Sequence, residues 1–270
     1  MVRSTPSSVG EELTSRPQVL SSYGVLSTYL NTKAGERNGS PIFSPAVIIA
    51  LQLGGQAVGL GILGPIVIPL LYAVSKSLTS PNPPTVSPPT YTYTTIHLSI
   101  QFTVFLLSLV VTYVPVTNPS WVYINYVWQA FPFFFLPLVF LAHSKEPDAE
   151  STPTPVPTLT ISAFTTLKYL YAPAWWLALG KAVNAYSRRG ETFTLASYFM
   201  AVDVVGFVVL FLGWYAVDAV AGEAQEVMGV GRLVAGFLSV GPASTMAAYF
   251  EGQQKLTVAR AEAQRSRKKA

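Results

Sequence analysis

The stretch from Val47 to Val74, VIIALQLGGQAVGLGILGPIVIPLLYAV, decides what kind of molecule this is. It carries no charge. The chain as a whole has no Asp, Glu, Lys or Arg between Arg37 and Lys76, and none between Lys76 and Lys145. Only 11% of the 270 residues are charged and 50% are hydrophobic, against about 25% charged in an average soluble domain. Tracts of this kind cannot build a charged outer surface, which excludes an ordinary soluble globular enzyme. Stretches of about 20 apolar residues cross a bilayer as helix, because helix satisfies its own backbone in lipid.

Working outward, six spans are predicted, near Pro45–Val74, Ile96–Val114, Trp121–Ala142, Ile161–Gly180, Thr194–Val217 and Val230–Phe250. The fold class expected is therefore all-α, a polytopic transmembrane helical bundle. A segment around Val19–Leu30 leaves room for a surface helix or a seventh span. Residues 1–40 are read as a cytosolic N-terminal segment, 41–252 as the bundle and 253–270 as a basic cytosolic tail. The Pro-, Ser- and Thr-rich stretches 77–95 and 143–160 read as exposed loops. Sorting the cations by six spans puts Lys76, Lys145, Lys168 and Arg232 on one face. Both termini, with the tail cations, fall on the other, which basic residues mark as cytosolic. The location expected is a multi-pass membrane, the endoplasmic reticulum. The bilayer is then a partner, and the basic tail anchors to it instead of binding nucleic acid.

The chain has no cysteine and two histidines, His97 and His143, so no thiolate chemistry and no His-rich metal site is expected. Polar groups inside spans are the informative ones, since burying them is costly. Asp203 lies about nine residues into the fifth span, roughly 13 Å deep at 1.5 Å per residue. Gln129, Gln52 and Gln56 fall at similar depth, the last two on one helix face. A polar cavity lined by these four is expected. Burial favours the neutral carboxyl, so Asp203 is the candidate general acid. Gln129 is the candidate to orient it or to take up the final proton through water. Asp218, Glu223 and Glu226 are expected as a solvated rim, and Glu251 as a partner of nearby cations. Trp128, Trp175 and Trp176 are candidates to line a substrate cavity, where aromatic faces stabilise a cation.

Two segments, LGGQAVGLGILGPIVIPLLY (residues 53–72) and YVPVTNPSWVYINYVWQAFP (residues 113–132), resemble the fungal membrane-bound terpene cyclases of the ascofuranone type. The resemblance implies acid-initiated cyclisation of an epoxidised or polyene chain in a secondary-metabolite pathway, without metal or other cofactor. It adds Gln56 and the cluster Trp128 to Pro132, including Phe131, as substrate-binding residues. The partners it implies are a hydrophobic small molecule and other enzymes of the pathway. Two readings from other classes stay open, a transporter or exporter of the product and a membrane scaffold.

Overall fold

The computed structural model describes residues 22–36, 40–58, 60–78, 89–114, 118–142, 156–187 and 195–269, and all regular structure among them is helical. The helices are α1 over 22–35, α2 (Pro45–Val58), α3 (Leu60–Leu78), α4 (Tyr91–Tyr113), α5 (Ser120–Gln129), α6 (Leu136–Leu141) and α7 (Val156–Ser187). They continue as α8 (Leu195–Val220), α9 (Ala224–Val227), α10 (Val230–Ser239) and α11 (Gly241–Lys269), with short 3-10 turns at Pro41–Phe43 and Phe131–Phe135. Among the described residues no single helix is long and apolar enough to cross a membrane. The pair Ser120–Gln129 and Phe131–Leu141, bent by 46°, passes that test together. Pro132 and Pro137 account for the bend, since proline removes a helix donor and clashes with the preceding turn.

The segment assigned to the N-terminal region outside the bundle forms α1, and α1 lies at the bundle's centre. Val25, Leu26, Ser27, Thr28, Tyr29, Leu30, Asn31 and Thr32 are all buried. Its polar groups are largely satisfied by α1 itself. Thr28 Oγ1 donates to the Gly24 carbonyl (2.8 Å), Thr32 Oγ1 to that of Thr28 (2.8 Å) and Asn31 Nδ2 to that of Ser27 (2.9 Å). Such back-bonding lets a Ser/Thr-rich helix lie in an interior without unpaired hydroxyls. Neighbours then bond across to it: Gln52 Nε2 donates to Ser27 Oγ (3.1 Å), Ser27 Oγ to Gln101 Oε1 (3.0 Å) and Tyr93 Oη to the Asn31 carbonyl (2.9 Å).

The first predicted span is a hairpin. Phe43 meets Tyr72 with ring centroids 6.2 Å apart, and Ile48 and Ile68 line one cavity, so α2 and α3 run antiparallel. The glycine-dense stretch from Gly54 to Gly64 weakens helix enough for the chain to reverse there. The sixth predicted span is a hairpin as well. The chain turns at Gly241, which holds φ +82°, and α11 returns alongside α10 to the end it came from. Trp175 of α7 lies directly over Gly241, where a Cβ would stand 2.5 Å from its Cγ.

These turns change the parity of the chain. Helices α1, α3, α5–α6 and α8 run toward the turn that holds Glu223, and α2, α4 and α7 run away from it. Among the described residues seven helical runs lie along the bundle, where the sequence left room for six or seven. The start of α1 therefore lies at the end opposite the C-terminal part of α11. The sorting of basic residues is corrected accordingly. Lys76 and Arg260, assigned to opposite faces, both pair with Glu223.

Large apolar side chains face outward on most passes: Ile62, Ile66, Leu70 and Val74 on α3, Phe102, Leu106 and Val110 on α4, and Val205, Val209 and Leu212 on α8. Inside lie Ser27, Asn31, Gln52, His97, Asp218 and Gln253.

Candidate functional site

Asp218 is two turns of helix beyond Phe211, on the face of α8 that meets α3 and α11. It is 0% exposed. The solvated rim expected at Asp218 is therefore corrected: of the three acids only Glu223 and Glu226 reach solvent. Tyr72 Oη of α3 donates to Asp218 Oδ1 at 2.5 Å, Tyr249 Oη of α11 donates to Oδ2 at 2.6 Å, and Gln253 Nε2 donates to Oδ2 as well. Tyr29 Oη of α1 donates to Gln253 Oε1, which brings the central helix into the same network. Lys76 Nζ stands 3.5 Å from Oδ1.

Aromatic rings enclose this carboxyl. Tyr72 stacks on Trp214 (centroids 3.6 Å, 19°), Tyr29 meets Trp214 edge-on (5.2 Å, 85°) and Tyr29 stacks on Phe250 (3.9 Å, 13°). Each well-placed pair adds about 0.5–1.5 kcal/mol beyond its buried area. Trp214 Nε1 is buried and has no acceptor among the described residues, an arrangement that calls for an explanation in an interior.

Outward from Asp218 the charges alternate. Lys76 also bonds Glu223, Arg260 Nη1 reaches Glu223 Oε1 at 3.4 Å and Arg260 Nη2 reaches Glu226 Oε2 at 2.9 Å. Partial burial raises the Glu223 carboxyl, but Lys76 and Arg260 outweigh it and hold the group below the ordinary glutamate range. A carboxyl lowered on folding stabilises the fold above its unfolded value, and that stabilisation is lost as pH falls through the folded value. We expect amide exchange protection across residues 221–229 to persist at mildly acidic pH and to collapse only below the ordinary glutamate range. Collapse already within that range would show that these ion pairs do not hold the turn.

The residues expected to form a site are dispersed. Gln52 is buried against Ser27 and lines a cavity of about 10 Å³ with Tyr23, Leu26, Leu30 and Ile68, roughly the room of one water. Phe131 is buried and meets Tyr23 edge-on at 5.5 Å. Trp128 lies 6.0 Å from Phe131 and donates from Nε1 to Ser108 Oγ at 2.8 Å. Asp203 lies in α8 four residues before Phe207, a residue that packs on Tyr23 at 6.4 Å; its side chain is outside the described residues. Gln56 is half-buried one turn beyond Gln52. Gln129 ends α5 with its side chain exposed, so it does not join Gln52. Trp175 packs on Gly241, and Trp176 is 55% exposed. Glu251 pairs with Lys168 at 2.7 Å and Lys255 at 2.5 Å.

Sequence reasoning missed Tyr29, Tyr72, Trp214, Tyr249 and Gln253. One signal was available: the chain places Trp214 and Asp218 four apart on one helix face, and likewise Tyr249 and Gln253. Compared with known proteins, the chain matches no family model, no curated protein and no solved structure.

Proposed function

We propose that the chain is a membrane-embedded cyclase of hydrophobic polyene or epoxide substrates, started by proton transfer from Asp218. The observation that carries the reading is a fully buried carboxyl held by the hydroxyls of Tyr72 and Tyr249, with the ring of Tyr72 stacked on Trp214. Transfer of a carboxyl proton from Asp218 to an epoxide oxygen would break the carboxyl O–H and open a C–O bond. The cation left on carbon is attacked by a neighbouring alkene, and a proton is finally lost to water. Trp214 Nε1 is a buried donor that the opening oxygen would satisfy. The π faces of Trp214, Tyr72 and Tyr29 stabilise positive charge near them, by about 2 kcal/mol or more where water is excluded. The rings are packed face to face, so a polyene chain reaches Asp218 by parting them.

Asp203 stays a separate candidate. Fifteen residues along α8 place it roughly 22 Å from Asp218, so one reacting atom does not meet both. The test of the reading is product analysis: membranes holding the chain, supplied with terminal epoxides of farnesyl and geranylgeranyl chains, should yield cyclised product. Uncyclised epoxide at matched protein levels would overturn it.

The membrane part of the proposal is supported by the apolar outward stripes on α3, α4 and α8, the reverse of a water-facing surface. Among the described residues Lys33, Lys76, Lys255 and Arg260 lie toward the Glu223 end, and Lys181, late in α7, toward the other. The Glu223 end is then cytosolic. Asn38-Gly39-Ser40 is a glycosylation acceptor by sequence and belongs to that end. It should stay unmodified, as should acceptors engineered into 79–88, whereas an acceptor engineered into 188–194 should carry glycan. Glycan at Asn38 would reverse the orientation.

A further inference from the structure

We infer that Lys76 is the proton relay that reloads Asp218 from the cytosolic solvent between turnovers; the inference rests on the reading of Asp218 as the acid. A carboxyl sealed from water gives up its proton once and then needs a route for the next. Tyr72, Tyr249 and Gln253, three of the groups around Asp218, are themselves buried. Lys76 differs. Its side chain is 28% exposed, its Nζ lies 3.5 Å from Asp218 Oδ1, and the same nitrogen bonds Glu223, which is 29% exposed. One amine thus touches the enclosed carboxyl and a carboxylate at the water's edge.

The surroundings of Lys76 fit a group that stays put while its proton moves. The Tyr72 ring, one turn back on α3, lies 5.4 Å from Nζ. Asp218 faces it from α8 and Glu223 from the turn after α8, and Arg260 of α11 holds Glu223 by its other oxygen. The nitrogen is therefore held from α8 and from the turn after it, with Arg260 of α11 bracing Glu223.

The proton balance is simple. After Asp218 has protonated the substrate it is a carboxylate beside the Lys76 ammonium. An N–H bond of Lys76 breaks, an O–H bond forms on Asp218 and both groups become neutral. The neutral amine then takes a proton from water at the Glu223 edge. Arginine in the same place would keep the charge and both carboxylate partners, but it does not release a proton in a protein.

The test is Lys76→Arg, compared with wild type in membranes supplied with the terminal epoxide of farnesol. With protein in excess over substrate, the variant should form product at wild-type amplitude, because a single turnover needs no reloading. With substrate in excess, it should stop near one product per protein. Its steady rate should fall by about 10²-fold, the lower end of what a positioned proton donor contributes. Lys76→Ala supplies a second readout, since added methylamine should restore part of its steady rate. Equal steady rates in wild type and Lys76→Arg would overturn the relay and leave the cyclase reading standing. Equal loss in both regimes would make Lys76 an electrostatic support and overturn the relay too. Absence of cyclised product from wild type would overturn the cyclase reading, and the relay with it.

Discussion

Replacing Asp218 by Asn is expected to lower the yield of cyclised product by about 10²–10⁴-fold, the usual contribution of a positioned general acid, while the bundle stays folded. Asn keeps the shape of the carboxyl. Its Oδ1 still accepts from Tyr72, and its Nδ2 donates to Gln253 once that amide turns over. Lys76 keeps Glu223 as a partner. What the variant lacks is an acidic proton. Asp203→Asn is the companion, expected to retain product. The measurement is precursor against product at matched levels of membrane protein, with thermal unfolding in detergent as the check on folding. Loss in Asp203→Asn with retention in Asp218→Asn would return the acid to the position that depth along the fifth span favours. Loss in neither would leave the cyclase reading resting on the resemblance of two segments.

Gly241→Val is expected to be the most damaging single change to the fold. The backbone there is left-handed at φ +82°, a conformation that costs a residue with a side chain about 1–2 kcal/mol and a β-branched one more. The new Cβ would also stand 2.5 Å from Trp175 Cγ, and overpacking of this kind costs about 1–3 kcal/mol. Together these are large against a marginal total stability. The variant should appear mainly as aggregate on size exclusion in detergent. Gly231→Ala is the control. That position meets nothing within 4 Å, so alanine should be neutral or raise stability by up to about 1 kcal/mol. A Gly241→Val chain that folds like wild type would mean that α10 and α11 run on as one span.

The all-helical fold was legible because apolar tracts free of charge leave no alternative. The break in the third span was legible because Pro132 and Pro137 announce it. The two hairpins were not, since apolar residues flank both turns and hydropathy does not register a reversal. Gly241 is one of several glycines near its turn, and which of them turns the chain depends on what packs against it. The sequence left room for a surface helix or a seventh span near Val19–Leu30, but it did not place α1 at the centre, for a different reason. Ser27, Thr28, Asn31 and Thr32 read as surface polarity, yet they bond back along α1 and outward to α2 and α4. The candidate site suffered from both errors. Depth counted along a straight fifth helix placed Asp218 at an interface. The donors that make it a centre come from α3 and α11, more than 30 residues away in either direction. Gln129 illustrates the converse: depth alone grouped it with Gln52, and the bend after α5 leaves it on the surface.

The bond from Tyr29 to Gln253 spans 224 positions of sequence, and this has a consequence for how the molecule is made. Helix α1 is made before α11, yet α11 completes its enclosure. Until α11 leaves the ribosome, α1 has no Phe250 to stack on and no Gln253 to receive its tyrosine. Closure then falls to the hairpin of α10 and α11, which enters and leaves by one end of the bundle. Ribosomes stalled before residue 241 should therefore carry chains whose α1 is still open to protease or to membrane chaperones, and release of the last segment should protect it in a single step.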